Sequence, residues 1–280
     1  MITTRLGALA VLLSATAVHA LPVVTSGSGT AASIQSSVDS FRVSLGTLNP
    51  NVVGSFGTGR REINWDGVPD SLSAPNNLPA NFFNVNSPRG AVFSTPGSGF
   101  QVSANAASGT AVEFGNINAT YPSLFATFSA QRLFTALGSN IIDVNFFVPG
   151  STDAASISGF GAVFTDVDLA DVSSLAFFDI GGTSLGTFFV PTTAGDQGLS
   201  FLGVMFTNER IGRVRITAGN QALGGNESSV ADLVALDDFI YAEPLAVAGA
   251  VPEPGTYALL LAGLGAAGLT RRRGLRSTES

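Results

Sequence analysis

Between residues 21 and 241 the apolar residues come in short runs broken by Gly, Asn and Pro, and no stretch of ten or more reads as a helical face. Ile141–Val148 is one such run, closed by Pro149-Gly150. Gly159–Asp168 is another and ends in an acidic loop. Ser174–Asp179 and Ser184–Val190 flank Ile180-Gly181-Gly182-Thr183, where two glycines supply the positive φ that a tight hairpin turn requires. Leu199–Phe206 and Ile211–Thr217 read as a second hairpin around Asn208-Glu209. In the last of these, Val214 and Ile216 share one face and Arg213 and Arg215 the other, as in a half-solvated strand. Phe41, Val43 and Leu45 alternate in the same way near the start, Phe125–Phe128 reads as a further strand, and Leu233–Tyr241 closes the series. The pattern predicts an all-β chain, an antiparallel β-sandwich.

Phenylalanine doublets recur at 82–83, 146–147, 177–178 and 188–189. Adjacent strand residues point to opposite faces, so one ring of each pair belongs in the core and its neighbour on a second layer or in solvent. Phe177, Phe188, Val214, Ile216, Leu236 and Ile240 are expected to be buried. An exposed aromatic platform for sugar rings would give the same doublets.

What the chain lacks limits its chemistry. Its one histidine, His19, precedes residue 21, it has no cysteine, and all 13 basic residues are arginine. The body therefore offers no Ser-His-Asp or Cys-His nucleophile, no usual zinc ligand set and no Schiff-base lysine. Carboxylate-pair hydrolysis is the common mechanism left open, with Asp166, Asp168, Glu113 and Glu62 as candidates. Residues 21–250 carry 18 acidic residues against 8 arginines, a net charge of −10. That balance excludes a nucleic-acid partner, which needs a basic stripe, and it favours divalent cations.

Two acidic stretches are candidate calcium ligands. Around the only tryptophan, Asn64, Asp66 and Asp70 place oxygens on a loop that Gly67 allows to bend. The same loop also reads as an Asx-turn with Trp65 in the core. Near the end, Asp238 interrupts the apolar phase of Val234, Leu236 and Ile240, with Asp237 beside it. A buried carboxylate needs a partner, and either a cation or an arginine (Arg213 or Arg215) would serve. Asn64, Asp66, Asp237 and Asp238 are the expected calcium set, one ion clipping both ends of the domain.

The two ends are of another kind. Arg5, the apolar run Leu6–Val18 and Val18-His19-Ala20 form a signal peptide over residues 1–20, cut after Ala20. At the far end, Val251-Pro252-Glu253-Pro254 is an extended spacer, since two prolines break helix and ladder alike. A charge-free run from Tyr257 to Leu269 and the stop Arg271-Arg272-Arg273 follow. The run is shorter than the roughly 20 residues of a full span, and the arginines hold its C-terminal end in the cytoplasm. Spacer, short transmembrane helix and basic stop, in that order, resemble the PEP-CTERM sorting signal of Gram-negative bacteria. The resemblance implies an exosortase-type processing enzyme as partner, transient residence in the inner membrane, and release or transfer to the cell surface.

The expected organisation is a signal peptide (1–20), a β-sandwich (21–241), a linker (242–251), a sorting signal (252–274) and a cytoplasmic tail (275–280). The order of strands from Gly159 to Tyr241 also looks like the closing half of a jelly roll. Many such modules are similar to carbohydrate-binding modules in which a terminal-strand aspartate helps hold structural calcium. The function expected is that of an exported surface or extracellular-matrix protein, non-enzymatic and contacting polysaccharide. A carboxylate-dependent glycan-active enzyme and a structural protein assembling through its sheet edges are the alternatives.

Overall fold

The computed structural model describes residues 21–207 and 210–247. The expected signal peptide, the Asn208-Glu209 turn and the sorting signal lie outside the described residues. Two antiparallel sheets make up most of the fold. The larger runs, edge to edge, through β1 (Val23–Gly29), β11 (Leu199–Met205), β8 (Gly159–Thr165), β13 (Ala235–Ala242), β5 (Phe134–Leu137) and β4 (Gly99–Val102). A further strand, β2 (Arg60–Ile63), pairs with the second half of β13. The smaller sheet runs through β10 (Ser184–Phe189), β9 (Ser174–Asp179), β12 (Ile211–Thr217), β6 (Ile141–Phe146) and β3 (Ala91–Ser94). Two short strands, β7 (Ala155–Ser156) and β14 (Leu245–Ala246), pair with each other. The architecture is all-β with antiparallel sheets, as the alternation predicts.

Aromatic rings fill the space between the sheets. Phe146 of the smaller sheet packs against Phe160 and Tyr241 of the larger, and Phe93 packs against Phe134 and Phe239. Trp65 lies at the centre of this cluster, stacked on Phe134 at 4.0 Å between ring centroids, with Phe83 and Phe239 edge-on to it. Its indole N–H donates to the Asp237 carbonyl at 2.9 Å, so the polar end of the ring is also satisfied. Phe177, Val214, Ile216, Leu236 and Ile240 are buried and Phe188 is half-buried. The doublets at 146–147 and 177–178 each place one ring fully inside. Phe82 and Phe83 differ, because they lie on a short helix, α2 (Phe82–Val85), and both are buried.

The central strands of the larger sheet, β8, β11 and β13, are buried on both faces, and their outer cover corrects the expected strand Phe41–Leu45. Those residues end helix α1 (Ala31–Leu45). The Thr30 hydroxyl caps it by accepting from the Ser33 N–H, and Gly46, at φ 94°, ends it. The helix buries Ile34, Val38, Phe41 and Leu45, a spacing of about one turn, and leaves Val43 79% exposed. The alternation of Phe41, Val43 and Leu45 is therefore coincidental. The Phe41 ring lies on Gly161 and Gly203, where any side chain would collide with it.

Three further expectations give way. β11 and β12 are not a hairpin, since β11 pairs with β1 and β8, whereas β12 pairs with β6 and β9. Phe125–Phe128 is irregular because side chains occupy its N–H groups: Ala126 donates to Thr165 Oγ1 (2.9 Å) and Phe128 to Asp237 Oδ2 (2.6 Å). The domain also runs past Tyr241 into the expected linker. Glu243 is buried there on Arg61, and β14 follows. The hairpin of β9 and β10 forms, with a register shift between Ser184 and Gly186, but of the two turn glycines only Gly182 takes a positive φ, of 84°.

Candidate functional site

Two groups of carboxylates carry the chemistry of the described residues. The first contains the expected calcium set. β13 has an irregular register between Leu236 and Phe239, so Asp237 and Asp238 sit in a bulge, which re-aims side chains out of strict alternation. Both are buried. Ser129 Oγ lies 2.7 Å from Asp238 Oδ1 and 3.3 Å from Asp237 Oδ1, and 3.5 Å from the Asn64 carbonyl. Arg42, on α1, reaches Asp238 at 3.5 Å and binds Glu62 through Nε and Nη2 at 3.1 and 3.0 Å. Ser129 thus links the Asn64 backbone to the aspartates of the last strand.

The oxygens of this group meet protein donors. Asp237 accepts from the Phe128 N–H, Asp238 from Arg42 and from the one Ser129 hydroxyl, which is nearer to it than to Asp237, and Asp66 from the Arg132 N–H at 3.2 Å. Asp70 pairs with Arg132. Arg213 and Arg215, considered as partners of Asp237 and Asp238, both bind Asp143 instead, at 2.8 Å. Burial, and then the charge of Asp238, pushes the Asp237 carboxyl well above the usual carboxylate range. Burial raises Asp238 as well, against the lowering pull of Ser129 and Arg42.

The second group gathers at the end of β8. Asp166, Asp168 and Glu227 each bring a carboxylate oxygen within 4.8 Å of the others. Asp166 is fully buried at φ 71°, a left-handed conformation that few residues other than glycine adopt. Its N–H donates to the Gly198 carbonyl at 2.8 Å. Asp232, also buried, accepts from the N–H groups of Asp168 and Leu169 at 3.2 and 3.4 Å and so fixes the loop. Neither Asp166 oxygen meets a donor among the described residues, nor do Asp168 Oδ1 and Glu227 Oε1. Burial, then Glu227, and then Asp168 and Asp196 push Asp166 up to about 9. Asp168 and Glu227 open onto a cleft of about 590 Å3 whose wall includes Asp196, Thr120 and Ser123.

Asp166 and Asp168, two of the four carboxylates that the sequence offers as catalytic candidates, lie together. Glu62 and Glu113 do not join them. Glu62 is held by Arg42 and Arg60, and Glu113, at φ 50°, is raised by burial alone. Glu227, Asp196 and Asp232 were missed. Asp-Val-Asp at 166–168 is a visible local signal, but nothing local marks Glu227, which arrives from a loop of Gly, Asn and Ser.

The sorting residues Val251, Pro252, Glu253, Pro254 and Arg271–Arg273 are outside the described residues. Among the described residues no helix is long and apolar enough to cross a membrane. No curated protein matches the chain. Residues 250–274 match the family described as the PEP-CTERM protein-sorting motif, over the stretch where spacer, apolar run and arginine stop follow one another. The motif implies processing by an exosortase-type enzyme and an exported, membrane-anchored precursor, and the chain is a PEP-CTERM protein.

Proposed function

We propose that this PEP-CTERM protein is a surface or extracellular-matrix component. In this reading an exosortase-type enzyme removes or transfers the tail, and the β-sandwich is left outside the cell as a non-enzymatic module that contacts polysaccharide. The sorting motif at residues 250–274 carries the reading. The acidic body, without His, Cys or Lys, supports a binding role over nucleophilic catalysis. Support for sugar contact comes from a cleft of about 540 Å3 lined by Phe147, Asn81, Thr152 and Asp153. A half-buried ring beside amide, hydroxyl and carboxylate groups suits a sugar face and its hydroxyls.

The glycan-active enzyme is the weaker alternative. Glycosidase carboxyl groups stand roughly 5–9.5 Å apart across the scissile bond. Asp166, Asp168 and Glu227 gather as three carboxylates in one cluster, which favours a shared charge over two opposed catalytic groups. The test is co-sedimentation of the purified protein with the producing cell's own exopolysaccharide. Binding that falls at least tenfold in Phe147→Ala, with no release of reducing ends, is the expected result. Reducing-end release would establish the enzyme, and absence of binding would leave a structural role, visible as concentration-dependent assembly.

A further inference from the structure

We propose that Asp166, Asp168 and Glu227 form a calcium site that ties the loop after β8 to the long loop preceding β13. A carboxylate taken out of water without compensation is among the costliest groups to bury. Elsewhere this chain answers each such group with donors. Glu243 receives both ends of Arg61 at 2.6 and 2.8 Å, together with Asn49 and the Phe56 N–H. Asp232 accepts from two N–H groups, Asp237 from the Phe128 N–H, and Asp238 from Arg42 and the Ser129 hydroxyl. Asp166 is as deeply buried as any of these, yet both its oxygens are unmet and one lies within 4.8 Å of an oxygen of each of two more carboxylates. Among the described residues no arginine pairs with any of the three.

Only a proton or a cation can neutralise such a group. One proton shared by Asp166 and Glu227 satisfies a single oxygen on each and leaves Asp168 facing them. A divalent ion answers all three at once. The donor set is all oxygen, which selects a hard ion. Oxygens that lie within 4.8 Å of one another can share one ion at a calcium–oxygen distance of about 2.4 Å. Magnesium demands a near-ideal octahedron and sheds its waters reluctantly, whereas calcium accepts an irregular set of oxygens. Three carboxylates supply part of a sphere of six to eight oxygens, and the open cleft beside them admits water for the rest. The loop is set before any ion arrives, because Asp232 and the Gly198 carbonyl hold the backbone on either side of Val167.

The site is separate from the Asn64–Asp238 group and independent of the sorting and glycan readings. The test uses the full chain in detergent, stripped with EDTA and titrated with calcium chloride by calorimetry and by thermal melting. One ion per chain is expected, with a melting temperature raised by roughly 5–10 °C at a hundredfold excess over Kd. Asp166→Asn and Glu227→Gln each weaken binding at least tenfold, whereas Asp238→Asn leaves it unchanged. Asp166→Asn also melts no lower than the stripped parent, since it removes the uncompensated charge. If that variant fails to fold, Glu227→Gln decides, because Glu227 is half-exposed on its loop. No heat and an unchanged melting curve in the parent would overturn the site in favour of a shared proton. A response kept in Glu227→Gln but lost in Asp238→Asn would overturn it in favour of the other carboxylates.

Discussion

Arg61 and Glu243 form the most completely enclosed ion pair among the described residues, with side chains 0% and 1% exposed. The guanidinium also donates to the carbonyls of Pro50, Gly54 and Pro88, so one side chain fastens β2, the end of β13 and two loops. Arg61→Ala leaves Glu243 buried without its counter-charge, a change that costs about 3–5 kcal/mol and is measured by urea unfolding. Asp237 gives a prediction of the opposite sense. Its carboxyl is held well above the unfolded value of about 3.9, so its neutral form is the one the fold favours. Stability therefore declines as pH rises from about 4 through the folded value, and is lowest once the group ionises. Asp237→Asn keeps an acceptor for the Phe128 N–H and removes the charge. Unfolding free energies at pH 5 and pH 8 should differ less in this variant than in the parent. At this scale the sequence shows which residues are out of place, such as an aspartate in an apolar phase. It does not show who answers them, because Arg42 and Ser129 lie 196 and 109 residues from Asp238.

At the scale of elements, the strands are legible and their neighbours are not. A strand of alternating or continuous apolar residues looks the same whichever sheet it enters. Hence β11 and β12 read correctly as strands and wrongly as a pair, whereas the β9–β10 hairpin is read well because its turn is local and Gly182, at φ 84°, supplies the left-handed residue. Helix α1 was missed for another reason. Its buried stripe is only four residues wide, set among serines that weaken the periodic signal, and Val43 supplies a false alternation. The glycines beneath it are the missing clue. An added Cβ at Gly203 would stand 2.7 Å from the Phe41 ring. Gly203→Ala should therefore lift α1 and destabilise the domain by about 1–3 kcal/mol, read as a lowered urea midpoint with an unchanged slope. Phe41→Leu in the same chain should recover part of that loss by thinning the contact.

For the whole molecule, the address and the cargo are encoded differently. The address is local, since spacer, apolar run and arginines follow one another within residues 250–274, so sequence alone identifies it. The all-β class is also legible, from punctuation and period. The acidic cluster at Asp166 depends on segments 59 residues apart, and only two of its three carboxylates carry a local signature. The boundary at Tyr241 was drawn short because the partner of Glu243 lies 182 residues upstream. The central claim is that the short terminal segment decides where the β-sandwich goes, and it is tested most directly by replacing Pro252, Glu253 and Pro254 together with alanine and following the chain by cell fractionation and intact mass. The account predicts that the parent loses or exchanges its tail and leaves the inner membrane, while the variant accumulates there as uncleaved precursor. A variant that reached the surface at the parent's rate with the same processed mass would contradict it.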